Sequence, residues 1–357
     1  MRILIVTHSP LSSQFGAGQV AINLSEEFKK QGHDAVLWSP HPLPTETKWW
    51  QRIEVMRSRL DTFVAKHPLF DVIDCPALLI TKFVSQSSLV VARSVQPDLL
   101  YLFHNLKFSF RGDFNSILKS MADDIHKIYR AWRVFGGWQK ADRILCLGSM
   151  EYGWMRKWFP WWRNKLSYYV NALSKNDRQK LAQIRKQRKQ SKSDNLKFLW
   201  IGRWATHKGT DILINFINDW SKTNPEDTFT IAGCGLDISE YFLQELILSN
   251  RLNIIPSFSR MQLLSLLEEH NVGLFTSKVE GWGLVLNEML ESGMPVFATS
   301  AGGVKDLKPF VSDKLHFFPP TSLSVANAIN SKIDLDEYYE IFTWEKIVRV
   351  YTSSNSK

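Results

Sequence analysis

Two series of alternating strand-like and helix-like segments, separated by one polar and basic break, constrain this 357-residue chain more than any other feature. In the first series, apolar β-branched runs at residues 3–7, 35–38, 71–73, 89–92 and 143–147 read as buried strands. Val20, Leu24 and Phe28 fall at helical spacing after the first of them, and Gly32 closes that helix. From Ser174 to Asp194 the chain is polar and carries no strand signal. A second series then begins, with strands expected at 197–201, 228–232, 254–255, 272–276 and 296–299 and helices near 210–220 and 261–269. Strands that alternate with helices form parallel, doubly wound sheets, and two such series imply two tandem Rossmann-like domains. The expected boundaries are 1–175 for the first domain, 176–195 for a basic inter-domain segment and 196–340 for the second domain, with 341–357 as a final segment.

Composition narrows the class. With 44% hydrophobic and 22% charged residues the chain is globular, and no apolar run approaches the roughly 18–20 residues of a membrane-spanning helix. The apolar opening ends at Val6, shorter than the ~7–15 residues of a signal peptide's core, and reads as a first strand. Cys75, Cys146 and Cys234 each lie in or beside an apolar run with no CxxC, which indicates core packing and fits a reducing cytosol. The net charge of +9 is local. Residues 176–193 carry a net +6, residues 154–165 add four cations and no acid, and the rest of the chain is close to neutral.

The densest chemical signal is Val279-Glu280-Gly281-Trp282-Gly283-Leu284-Val285-Leu286-Asn287-Glu288. A buried strand runs into a loop with two glycines, and a helix follows. Glycines let a backbone approach a ligand closely, and a helix N-terminus offers free N–H groups, so the segment suits a diphosphate. Glu280 and Glu288 are acceptor-only groups suited to sugar and ribose hydroxyls, although a plain strand–turn–helix with solvated glutamates reads the same spacing. A second element, Gly202-Arg203-Trp204-Ala205-Thr206-His207-Lys208-Gly209, also follows a buried strand and sets two cations at the carboxyl edge of the same sheet, where open α/β sheets bind ligands. Cations there would stabilise the charge that builds on a departing diphosphate.

Together with Ile231-Ala232-Gly233-Cys234-Gly235, Gly293, Pro295 and Ala301-Gly302-Gly303, these motifs make the second half resemble the nucleotide-sugar-binding domain of glycosyltransferase family 4, the large retaining group 1 family of GT-B fold. The resemblance implies two Rossmann-like domains facing a cleft. It implies Arg203 and Lys208 on the diphosphate, Glu280 at the donor sugar near the reaction centre, and Glu288 on the ribose. Gly235, Gly281, Trp282, Gly283 and Leu284 complete its donor-binding set. Gly16 and Gly18 resemble the family's glycine-rich loop facing the donor phosphates. They also fit G-x-G-x-x-A of a dinucleotide-binding protein. However, the first strand ends well before them, and the second, at Leu37-Trp38-Ser39, lacks the acidic residue that would hold a ribose. Phe342-Thr343-Trp344-Glu345-Lys346 resembles the family's last helix, which returns to the first domain.

The sequence departs from that family where many members carry a histidine after the fourth strand. Val90-Val91-Ala92-Arg93-Ser94-Val95-Gln96 has none, and His104 is the nearest substitute for a catalytic role. No metal or other cofactor is expected, because Asp334-Leu335-Asp336 sits in a polar segment with no strand leading into it. On the acceptor side, Trp158, Trp161 and Trp162 among the cations of 154–165, followed by the basic run 178–192, have the composition of an interfacial anchor or of a core cluster beside a solvated linker. No nucleic-acid-binding motif is present.

The expected protein is a metal-independent, retaining enzyme. It moves a hexosyl-type residue from a nucleotide-diphosphate sugar to the hydroxyl of a glycan, lipid-linked or small-molecule acceptor. Its expected place is the cytoplasm or the inner face of an anionic membrane, in cell-surface glycan or glycolipid synthesis. The alternatives are a GT-B isomerase or phosphorylase, and a catalytically impaired binding or scaffold protein.

Overall fold

A computed structural model describes residues 1–12, 16–106, 114–188, 195–236 and 244–352. The chain divides into two compact units, one of residues 1–171 with 344–357 and one of residues 172–343.

The first unit is built on a six-stranded parallel sheet of β1 (Arg2–Val6), β2 (Asp34–Trp38), β3 (Val72–Cys75), β4 (Leu89–Arg93), β5 (Arg143–Leu147) and β6 (Leu166–Tyr169), in the order β2-β1-β3-β4-β5-β6. All neighbouring strands run parallel. Helices α1 (Gly16–Lys30), α2 (Asp98–Asn105), α3 (Phe114–Lys140) and α4 (Gly148–Trp158) pack around it. The central strands are apolar on both faces, as a sheet covered by helices requires, and Leu4, Val6, Ile73, Val90 and Ile144 share one core cluster. One ion pair lies inside that core. Arg93 Nε donates to Asp74 Oδ2 at 2.7 Å with both side chains fully buried, and Arg93 Nη2 reaches Val6 O at 3.2 Å. Loss of either partner strands a buried charge, at a cost of about 3–5 kcal/mol.

The second unit repeats the architecture with β7 (Lys197–Ile201), β8 (Thr228–Ala232), β9 (Leu252–Ile255), β10 (Val272–Phe275), β11 (Val296–Ala298) and β12 (Leu315–Phe317), in the order β12-β11-β10-β7-β8-β9. This is the strand order of a dinucleotide-binding sheet, with its reversal between β7 and β10. Its helices include α5 (Lys175–Gln187), α6 (Thr210–Thr223), α7 (Arg260–Glu269) and α8 (Leu284–Glu291). The last helix, α9 (Trp344–Thr352), belongs to the first unit, where Tyr351 packs edge-on against Phe28 of α1 with ring centroids 5.4 Å apart.

Two strands escape the sequence reading, β6 and β12. Both are edge strands, of four and three residues, and carry polar or exposed positions that break an apolar run. The basic stretch also differs from its reading as a separate segment at 176–195. Ser174 caps α5 by accepting from Asp177 N–H, Leu181 and Ile184 are buried, and the helix is part of the second unit. Lys189 and Lys192 of that stretch lie outside the described residues. The three cysteines are buried and unpaired by disulfides. Among the described residues, no helix is long and apolar enough to cross a membrane.

Candidate functional site

The reversal of strand order makes β7 and β10 neighbours, with Leu199 beside Gly273 and Trp200 beside Leu274. The loops that leave their carboxyl ends, residues 202–209 and 276–283, are the two chemical motifs of the sequence. Their junction is fixed by several bonds. Trp200 Nε1 donates to Thr276 Oγ1 at 3.0 Å, and that hydroxyl donates to Lys208 O at 2.8 Å. Lys278 N–H and Val279 N–H donate to His207 O at 2.8 and 3.2 Å. Gly209 stands at φ +67°, where a Cβ would lie 1.9 Å from Thr276 O. Any side chain there would force the first loop off the end of β10.

Within this junction, Lys208 Nζ forms an ion pair with Glu280 Oε2, which also accepts from Ser277 Oγ at 3.2 Å. Arg203 is exposed in the same loop, with no hydrogen bond or ion pair among the described residues. Gly281 and Gly283 carry the backbone into α8, and Gly283 at φ +83° forms its N-terminal cap beneath the ring of Phe275. The first N–H groups of α8, beginning at Leu284, have no bonding partner inside the helix, and the positive end of the helix dipole lies there, at the end of the Glu280 loop. Gly235, at φ +76°, lies in the loop after β8, and Trp204 N–H donating to Cys234 O at 3.2 Å ties that loop to the first. The structure therefore gathers Arg203, Lys208, Gly235, Glu280, Gly281, Gly283 and Leu284 around one sheet edge.

Two residues of the expected set have buried side chains. The Trp282 side chain packs in the core of the second unit. Its indole donates to Asn287 Oδ1 at 2.7 Å, lies against Gly303, and is buried. Asn287 continues to Tyr338 at 2.6 Å and Tyr338 to Glu291 at 2.9 Å, so this polar chain anchors α8. Glu288 is buried too and bonds Arg260, which reaches Asp177 at 3.0 Å. Burial pushes the Glu288 carboxyl up, and Arg260 opposes this. Arg260 was not legible as a site residue. Its only sequence signal is the Ser259-x-x-Gln262 capping box that starts its helix.

In the first unit, Gly16 begins α1 and is exposed. Gly18 is buried against the preceding loop, where a Cβ would fall 2.5 Å from Ser12 O and 2.8 Å from Pro10 O. A tight approach of helix to loop thus accounts for that glycine. His104 lies near the end of α2, six residues or roughly 9 Å along the helix from Asp98, and its Nε2 has no partner among the described residues. The titratable groups at the carboxyl edge of the first sheet are others. Glu151 of α4 is buried, accepts from Ser94 Oγ at 2.8 Å and from Leu147 N–H at 2.6 Å, and is pushed up to about 7 by burial, against which its hydrogen bonds pull. Tyr169 OH donates to Ser94 O at 2.5 Å. His8, just past β1, is pushed down to about 4 by burial and by the charge of Arg130, with Asp98 opposing. Arg130 pairs with Asp98 at 2.8 Å. The Ser94 hydroxyl after β4 is thus bonded to a buried carboxyl from α4, the helix that follows β5, which no local motif announces.

The tryptophan-rich stretch divides in the same way. Trp162 is 7% exposed and packs on Phe159 and Phe135, whereas Trp158 and Trp161 are 57% and 64% exposed. Of the following cations, Arg178 pairs with Glu291 at 3.4 Å, Arg185 donates to Glu291 O at 2.5 Å, and Arg188 donates to His270 O at 2.7 Å. These three hold α5 to its own unit and are not free surface charge. Asp334 caps a turn, accepting from Asp336 N–H at 2.9 Å.

Comparison with known proteins bears on the second unit and on the fold. The family model for glycosyl transferases group 1 matches residues 182–345. The phosphatidylinositol N-acetylglucosaminyltransferase gpi3 subunit of Schizosaccharomyces pombe is 27% identical over 179 residues, which are 45% of this chain and 39% of that one. The UDP-N-acetylglucosamine–peptide N-acetylglucosaminyltransferase GtfA subunit of Streptococcus agalactiae is 37% identical over 99 residues, 28% of this chain and 19% of that one. The matched stretch thus spans about two fifths or less of these curated relatives. Among solved structures, sucrose-phosphate synthase from Thermosynechococcus elongatus superposes with a TM-score of 0.70 at 16% identity, over 99% of this chain and 97% of that one. The fold is the GT-B fold.

Glu151 gives a measurable pH signature. The folded chain holds its proton up to about pH 7, while the unfolded chain releases it near 4.3, so the folded state binds more protons in between and stability falls as pH rises through this window. Glu151→Gln removes the titration. Chemical denaturation should show wild type losing about 2–3 kcal/mol relative to this variant between pH 5 and 8. Parallel stability curves would contradict the assignment.

Proposed function

We propose that this chain, whose residues 182–345 match the family model for glycosyl transferases group 1, is an enzyme that transfers the sugar of a nucleotide-diphosphate sugar to an acceptor hydroxyl, with retention of configuration and without a metal. One observation carries this reading: the β7 and β10 loops meet at the strand-order reversal, where Lys208 pairs with Glu280, and these loops also carry Arg203 and lead into the N-terminus of α8. In the transfer, the acceptor oxygen bonds to the anomeric carbon, the bond from that carbon to the phosphate oxygen breaks with its electron pair leaving on the diphosphate, and the acceptor's proton passes to the departing diphosphate. Arg203, Lys208 and the first N–H groups of α8 take up that added charge. Lys208 and Glu280 hold each other, and a donor that offers phosphate to one and sugar hydroxyls to the other satisfies both. Glu288, oriented by Arg260, is assigned to the ribose. The relatives named as N-acetylglucosaminyltransferases make UDP-N-acetylglucosamine the first donor to try.

Calorimetry with nucleotide diphosphates tests the site. Arg203→Ala and Lys208→Ala should each weaken binding roughly ten- to hundredfold, the value of a charge-assisted hydrogen bond of about 1.5–3 kcal/mol. Unchanged affinity in both variants would remove the assignment.

A lipid-linked acceptor is the reading favoured on the acceptor side. Leu118, Met121, Ile125, Ile128 and Trp132 are exposed on α3 at alternating steps of three and four, which is one apolar helix face, and the first unit also exposes Trp158 and Trp161. The gpi3 relative is named for a phosphatidylinositol acceptor. The face on α3 takes over the role that the sequence reading gave to the basic run. In vesicle co-sedimentation the wild type should pellet with anionic lipid, and Ile128→Ala/Trp132→Ala should shift most of the protein to the supernatant. Wild type that stays in the supernatant at low salt would end this part of the proposal.

A further inference from the structure

A second cationic site lies within the second unit, at the opposite edge of the sheet from the donor loops. A cavity of about 400 Å³ is lined by Arg185, Lys186, Arg188, Lys314 and Lys332, with no carboxylate among the described residues of its wall. Asn271, Pro295 and Lys314, which immediately precede β10, β11 and β12, place it at the amino-terminal edge. The four residues of β10 alone separate it from the donor loops by roughly 13 Å.

Its cations are built into the fold. Arg188 donates to Ser292 O at 3.1 Å and His270 O at 2.7 Å, and also to Leu267 O. Arg185 donates to Glu291 O at 2.5 Å and to Tyr339 OH at 3.1 Å. Lys314 is buried and donates to Ala328 O at 2.7 Å and Ile329 O at 3.2 Å. Carbonyl oxygens, and for Arg185 the Tyr339 hydroxyl, orient these groups. The carboxylates that act on them, Glu291 on Arg185, Glu268 on Arg188 and Asp313 on Lys314, stand outside the lining. Burial first, and then repulsion from Arg188, push Lys314 down to about 8. Docking of α5 explains the two arginines. It does not explain why a buried lysine without a carboxylate partner stands beside them, nor why Lys186 and Lys332, both exposed and without a partner among the described residues, complete the wall.

We propose that this cavity binds a compact anion bearing two or more charges on phosphate groups. Five cationic side chains at one opening, with no carboxylate among the described residues that line it, favour a multivalent ligand over a monocarboxylate, because each added negative charge meets another cation. The volume lies in the range of small-molecule sites, about 300–1,000 Å³, and Ile329, Ile333 and Pro295 supply an apolar wall for a carbon skeleton. Helix α8 links the two sites, since the donor loop leads into its start and the arginine-held carbonyls lie at its end.

Calorimetry with inorganic pyrophosphate tests the site apart from the donor loops. Wild type and Lys208→Ala should bind pyrophosphate alike at this cavity. Lys186→Glu/Lys332→Glu, which alters two exposed side chains, should bind it at least tenfold more weakly and keep its affinity for nucleotide diphosphates. Equal pyrophosphate affinity in wild type and the double variant overturns the proposal, as does loss of pyrophosphate binding in Lys208→Ala, which would place the anion at the donor loops. A water-soluble short-chain phosphatidate, run in the same way, distinguishes the sources. Tighter binding than pyrophosphate assigns the phosphate to a lipid headgroup, and weaker binding assigns it to a soluble compound. No binding of either probe to wild type overturns the site.

Discussion

The second unit depends on one close approach. The loop after β7 lies directly on the carbonyl of Thr276, at the end of β10, and only a residue without a Cβ and with a positive φ permits this at Gly209. The hydrogen bonds from Trp200 through Thr276 to Lys208 O lock the contact from beneath. Everything chemical in the unit follows from it. Lys208 is delivered to Glu280, in the loop that leads into the N-terminus of α8. Had the two strands not been neighbours, the same motifs would lie on separate parts of the sheet edge. Strand order, more than any single side chain, makes the site.

Much of this was legible in the sequence, for definite reasons. Strands buried on both faces read as continuous apolar runs, so β5, β7 and β8 match their expected bounds residue for residue. The glycine loops were legible because backbone approach and helix starts impose residue types locally. Edge strands β6 and β12 were not, since an edge needs no continuous apolar run. Helix α3 was missed as well. Its exposed apolar face and the Gly136-Gly137 pair within it blur the pattern of a helix that buries its hydrophobic side.

What the sequence could not reveal is pairing at a distance. Glu151 meets Ser94 across 57 positions, and Arg260 meets Glu288 across 28. The basic stretch is the clearest case. Read by composition, its arginines are surface charge. In the fold, the ends of α7 and α8 present bare carbonyls that need donors, and Arg185 and Arg188 supply them. Trp282 makes the same point: it stands in the middle of a ligand-binding motif and yet serves the core, through Asn287 and Tyr338. A motif fixes which residues are close to a site, while packing decides which of them face it.

The central claim is that the β7 and β10 loops act as one diphosphate-binding surface, and hydrogen exchange on addition of a nucleotide diphosphate tests it most directly. The account predicts that amides in 202–209 and 281–286 gain protection together, at the same nucleotide concentration. Protection confined to other parts of the chain, or to only one of the two loops, would contradict it.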